Sequence, residues 1–260
     1  MSIKRLVLIV AVLALLGAGY YSARRILDIR KLRAADKDLF VTGDFQSAIA
    51  NYTDLIRRYP DNAGLYFKRG DAFVQTGRFN DAIDDYRSSL HYEIDDSLQT
   101  RLRIGLAQKS LRDWPAAKQT FKDLLNECSS VDSLVLWAAH YHLGQVEYKF
   151  GDYREALLQY GHALRFSDTK LTLYHRANAY TAIGLNDSAV ADYNASIAFV
   201  KHDYVRDHPG TSIDRCDTCG FPFGSKEYDL LTERTRGTLL ELIRRAVQAR
   251  AVQGDKEDLD

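Results

Sequence analysis

The chain has 260 residues, 46% hydrophobic and 27% charged, enough apolar material for a sizeable core and too mixed a composition for disorder. Thirty-five basic residues balance thirty-five acidic ones, so no global field draws in nucleic acid. Four prolines and sixteen glycines leave little for the frequent turns of an all-β protein, and the class prior is α.

The chain opens with a short tail, 1–5, carrying Lys4 and Arg5. Leu6 to Tyr21 then contains no charge, and Arg24 and Arg25 follow. Taken to residue 23, this run is a little shorter than a hydrocarbon core of roughly 30 Å. Tyr20 and Tyr21 suit an interfacial aromatic belt, and the arginines beyond them can snorkel. The expectation for 6–23 is a single-pass transmembrane anchor, followed by a basic juxtamembrane linker over 24–33. A cleaved signal peptide is the alternative, because Gly17, Ala18 and Gly19 offer a small-residue cleavage site. The side of the membrane stays open: Arg24, Arg25, Arg30, Lys31 and Arg33 favour a cytoplasmic domain, a cleaved signal the opposite.

From residue 34 to 200 the sequence repeats. Gly43, Phe45, Ala48 and Tyr52 return as Gly77, Phe79, Ala82 and Tyr86. The frame recurs as Trp114, Ala117 and Phe121, as Gly151, Tyr153, Ala156 and Tyr160, and as Gly184, Ala189 and Tyr193. Within each copy the aromatic, the Ala and the second aromatic fall at i, i+3 and i+7, one face of a helix. Upstream, Gly70, Gly105, Gly144 and Ala177 supply a small residue where two helices approach closely, with Asp36 in that place in the first copy. The third copy departs with Arg112 for Gly, the fifth with Asn186 for the first aromatic.

This pattern resembles the tetratricopeptide repeat, with its period of about 34 residues and its A-x3-F and late-Pro positions, the last matched by Pro60. The resemblance implies an all-α, right-handed α-solenoid of about five helical hairpins. It also implies a non-enzymatic protein–protein interaction scaffold, since the family shares an architecture and not a reaction. First helices of such repeats line a concave groove, which would here receive Phe67, Asp71, Tyr141, Gln145, Tyr148, Tyr174, Asn178 and Thr181 and meet an extended peptide or a helix of a partner protein. Aromatic rings and amides suit such a surface; packing between repeats is the other role for the tyrosines. Asn178 stands alone where some relatives repeat a Lys and Asn grip on a C-terminal carboxylate.

Residues 201–225 break the helical period. Cys216 and Cys219 form a Cys-x-x-Cys pair there, and with His202 and His208 upstream they make an alternative reading, a zinc-bearing regulatory or assembly protein. A local disulfide or idle thiols are the competing states. Across 226–253, Tyr228, Leu231, Thr235, Leu239, Leu242, Ile243, Ala246 and Val247 make an amphipathic stripe suited to a capping helix on the last repeat. Residues 254–260 read as an acidic solvated tail. No phosphate loop, His-Glu-x-x-His pair or Gly-x-Ser-x-Gly elbow occurs, and the histidines at 91, 140, 142, 162 and 175 share no ligand spacing. No enzyme, small-molecule substrate or required cofactor is expected.

Overall fold

The computed structural model describes residues 24–94, 97–129, 132–167, 169–207, 240, 241 and 243–251, with only the backbone described from 199 to 207. These residues form about eleven helices and no strand. Helix α1 covers 24–37 and widens into a π turn at Asp38–Thr42. There follow α2 (Phe45–Arg58), α3 (Ala63–Gln75), α4 (Phe79–His91), α5 (Ser97–Ser110), α6 (Trp114–Glu127), α7 (Ser133–Phe150), α8 (Tyr153–Leu164), α9 (Lys170–Ala182) and α10 (Asn186–Asp207). Helix α11 takes in residues 240, 241 and 243–251. The anchor segment 6–23 lies outside the described residues; no helix among them is long and apolar enough to cross a membrane.

Two compact units divide the chain, Met1–Asp113 and Trp114–Asp260. In the first, α1 pairs with α2 and α3 with α4, and α5 packs on α4. In the second, α6 packs on α7, and the hairpins α7–α8 and α9–α10 stack through α8 and α9. The boundary falls inside the third repeat, between its two helices.

Each second helix begins at the repeat's first signature position: Phe45, Phe79, Trp114, Tyr153 and Asn186 are all helix-opening residues. Turn chemistry starts and stops the helices. The Asp44, Asn62 and Thr169 side chains accept from the backbone N–H three residues on, satisfying donors that a helix start leaves open. Between first and second helices the chain turns through a left-handed residue, Gly77, Gly151 and Gly184 at φ 74°, 83° and 79°. The following N–H then reaches back to a carbonyl five residues earlier, as in Asp152 to Glu147 at 3.0 Å. Arg112 makes the same turn at φ 62°, where a side chain is strained.

The repeated small and aromatic residues form the core. Ala48, Ala82, Ala117, Ala156 and Ala189 are all 0% exposed, and Tyr52, Tyr86, Phe121, Tyr160 and Tyr193 no more than 1%. The glycines on the facing helices are required by these rings: a Cβ on Gly70 or Gly144 would stand 2.7 Å from the ring of Tyr86 or Tyr160. Burying each such ring contributes roughly 1.5–3 kcal/mol, so the repeat pattern is a packing code.

Two expectations change. The stretch 24–33, read as a linker from its charges, is the first half of α1. Its Asp28 is buried and bound by Arg58 and by the Tyr59 hydroxyl, so it folds into the first hairpin. Helix α11 lies within the stretch expected to cap the last repeat, and its Ile243 and Ala246 pack on Ala177, Ala189, Tyr193 and Ile197; residues 226–239 lie outside the described residues. Val247, placed on the buried stripe by its spacing, is 60% exposed, and Ala249 is buried in its stead.

Candidate functional site

The buried tyrosines of the second helices carry a hydroxyl into a wall of first-helix side chains, and this decides which predicted surface residues are free. Tyr86 donates to Asp71 at 2.7 Å and Tyr193 to Asn178 at 2.8 Å; in the first hairpin Tyr52 donates to Asp36 at 2.6 Å. Asp71 and Asn178 therefore hold their own hairpins together. Asp71 also meets Arg103 at 3.0 Å, and its side chain is only 12% exposed. Burial pushes its carboxyl above the usual carboxylate range, against the lowering pull of Arg103. Phe67 lies tilted on Tyr86 at 5.8 Å with the Arg103 guanidinium 5.0 Å above its ring. In the first unit, Phe67 and Asp71 belong to this interlocked Tyr86–Asp71–Arg103–Phe67 group.

The second unit leaves more on the surface. Tyr141 is buried, stacked on Trp137 at 5.5 Å, and burial pushes its hydroxyl up to about 12. It acts as a floor, because Gln145 Nε2 donates to its hydroxyl at 2.9 Å. Above it Gln145 is half-buried, its amide linking His142 Nδ1 and His175 Nε2 at 3.2 Å each. Tyr148 is half-buried against the edge of Tyr153 at 5.1 Å. Tyr174 is half-buried, tilted on Tyr193 at 6.1 Å and edge-on to His175 at 5.3 Å. Thr181 is exposed and donates to the Ala177 carbonyl at 3.0 Å. Of the eight predicted residues, then, the structure brings Gln145, Tyr148 and Tyr174 together as a half-exposed aromatic and amide patch on α7 and α9.

His142, His175 and Trp137 join these residues, beyond the eight that the repeat frame points to. A signal existed: the dipeptide Tyr141-His142 recurs as Tyr174-His175, in the same repeat frame that relates Gly144 to Ala177. Ligand spacing along one helix does not show side chains that meet between two. Trp137 reaches across as well, its indole N–H donating to Thr172 at 3.3 Å. A cavity of about 570 Å³ opens beside this patch, lined by Thr181, Asn186, Tyr193, Arg245 and Gln248.

Cys216, Cys219 and His208 lie outside the described residues, as does the His202 side chain, although its backbone belongs to α10. Among the described residues no three His, Cys, Asp or Glu side chains gather as a metal site would require.

Comparison with known proteins places this array of helical hairpins, with its Ala and aromatic packing code, in a known fold class. Residues 37–97 and 99–129 match models described as tetratricopeptide repeat; over these residues the chain carries tetratricopeptide repeats, a fold that generally mediates protein–protein interaction. Among curated proteins, the SGT1 homolog of Bos taurus is 27% identical over 100 residues, 38% of this chain and 29% of its own length. This chain thus spans less than a third of that relative. Among solved structures, MamA shares the fold with a TM-score of 0.58 at 21% identity, over 72% of this chain and 97% of its own. YrrB, described as a TPR protein with an unusual peptide-binding site, aligns with a TM-score of 0.51 at 16% identity, over 65% of this chain and 84% of its own.

Proposed function

We propose that this chain is a non-enzymatic interaction module held at a membrane, which binds an extended peptide or a helix of a partner protein. The observation that carries the reading is the half-exposed patch of Gln145, Tyr148, Tyr174 and His175 on α7 and α9. Rigid aromatic rings give contact area at low entropic cost, and the Gln145 amide is already aimed by Tyr141 and the two histidines. The peptide-binding description of YrrB supports the same use of the fold. The membrane half rests on the sequence of residues 6–23 and the arginines that follow, which favour a single-pass anchor with the repeats on the cytoplasmic side.

A photoactivatable residue at Tyr174, followed by mass spectrometry of the captured product, tests the surface. Its crosslinks should be lost when Tyr148 and Gln145 are both changed to Ala. Equal crosslinking from a label at Leu134, an exposed residue at the start of α7, would refute the patch. Protease accessibility of the repeats in intact cells tests the anchor and its side.

A further inference from the structure

Helix α1 sorts its charges by face. Asp28 is buried and bound by Arg58 and Tyr59, Asp36 is held by Lys68 and by the Tyr52 hydroxyl, and Lys31 pairs with Asp54. These groups lie on the side of α1 that packs on α2 and α3, together with Leu32, Ala35 and Leu39. Arg30, Arg33 and Lys37 follow one another at i, i+3 and i+7, which sets them in one row on the opposite side. All three are exposed and none forms an ion pair with a described residue. At the start of the same helix Ile26 and Leu27 are 52% and 60% exposed. The outward face of α1 is therefore purely basic, with two uncovered aliphatic side chains at the end that adjoins the uncharged run Leu6 to Tyr21.

We infer that this outward face of α1 lies flat on an anionic lipid surface, Ile26 and Leu27 dipping into the headgroup boundary and Arg30, Arg33 and Lys37 meeting lipid phosphates. The inference rests on the membrane reading above and adds to it an orientation. With 24–33 folded into the first hairpin, only two residues of sequence, 22 and 23, lie between the end of the apolar run and α1. Standing upright, α1 would carry Lys37 about 20 Å away from the apolar run. That is more than two Debye lengths at physiological salt, beyond useful attraction. Lying down, all three bases come within contact, each strengthening partition onto an anionic surface roughly fivefold. Surface amphipathic helices use this same pairing of aliphatic insertion and basic attraction.

The test uses the full chain with vesicles of phosphatidylcholine alone and of phosphatidylcholine with phosphatidylglycerol, reading flotation and acetylation of Lys37 relative to exposed Lys122. Flotation with both vesicles is expected, with Lys37 shielded several-fold only on the anionic ones. Raised salt, or Arg30→Glu with Arg33→Glu, should remove the shielding. Both positions are solvent-facing, and the milder pair Arg30→Gln with Arg33→Gln should reduce it in a still-folded chain. Flotation with both vesicles but equal Lys37 labelling would keep the anchor and overturn the orientation. Flotation only with anionic vesicles, lost in the Glu pair, would sink the anchor and support the basic face. Failure to float with either, or shielding of Lys37 by polyuridylate and not by vesicles, would overturn the inference.

Discussion

Arg69 on α3 grips Asp85 on α4 with two bonds, Nε and Nη2 each 2.7 Å from a carboxylate oxygen, and Arg176 grips Asp192 at 2.7 and 2.8 Å in the same way on α9 and α10. In both hairpins the arginine directly precedes the small crossing residue, Gly70 or Ala177, and the aspartate directly precedes the buried tyrosine, Tyr86 or Tyr193. The pair thus staples the hairpin beside its closest approach. Because the Asp85 side chain is only 7% exposed, Arg69→Met should strand a buried carboxylate and cost about 3 kcal/mol in urea denaturation. Adding Asp85→Leu should recover most of that loss, since a well-packed apolar pair often equals a buried ion pair. A single variant within about 0.5 kcal/mol of the parent would show the staple to be idle.

Asp71 should make the first unit's stability depend on pH with an unusual sign. Burial holds its carboxyl above the ordinary range, so the folded state binds that proton more tightly than the unfolded chain. Its contribution is then fully present at low pH and falls as pH rises through the folded value. Asp71→Asn copies what Asn178 does in the fifth repeat, keeping an acceptor for the tyrosine hydroxyl. Denaturation at a series of pH values should show the parent gaining on this variant as pH drops through the window just above the usual carboxylate value, about 3.9. A gap that stays constant across that window would contradict the assignment.

At Ala82, fully buried like its four counterparts, Leu should overpack the crossing and cost about 1–3 kcal/mol. Hydrogen exchange should rise first in α3 and α4, the hairpin that contains it. Lys118, by contrast, is not a quiet surface position. Its ammonium holds Oε2 of the fully buried Glu147 at 2.7 Å, and Oε1 of that carboxylate is buried with no partner. Lys118→Ala should therefore be costly, by about 3 kcal/mol, because it leaves the charge uncompensated. Exposed Lys122 is the proper control, its Ala variant staying within about 0.5 kcal/mol.

Arg112 occupies the left-handed turn position that Gly77, Gly151 and Gly184 occupy elsewhere. Replacing it with Gly removes a strain of roughly 1–2 kcal/mol, less the greater freedom Gly gives the unfolded chain. A net gain of about 0.5–1 kcal/mol in thermal or urea unfolding is expected. A loss would mean that the Arg112 side chain contributes more than its backbone costs.

The sequence by itself determined the helical class, the repeat frame and most of the packing. Those rest on local, periodic rules: Ala and an aromatic at helical spacing, glycine where φ is positive, a small residue where helices cross. Ala82, Tyr86, Gly70 and Gly77 each do what their position in the period says. Tertiary structure decided everything that depends on a neighbour from another helix. Spacing placed Asp71 and Asn178 on the first-helix surface, but the hydroxyls of Tyr86 and Tyr193 claim them, because a phenol buried at a crossing must find an acceptor nearby. Charge suggested a linker over 24–33, but Arg58 and Tyr59, far along the chain, turn Asp28 inward and make that stretch a helix of the first hairpin. The aromatic and amide patch likewise exists only because α7 and α9 lie side by side and bring His142, Gln145 and His175 to one place.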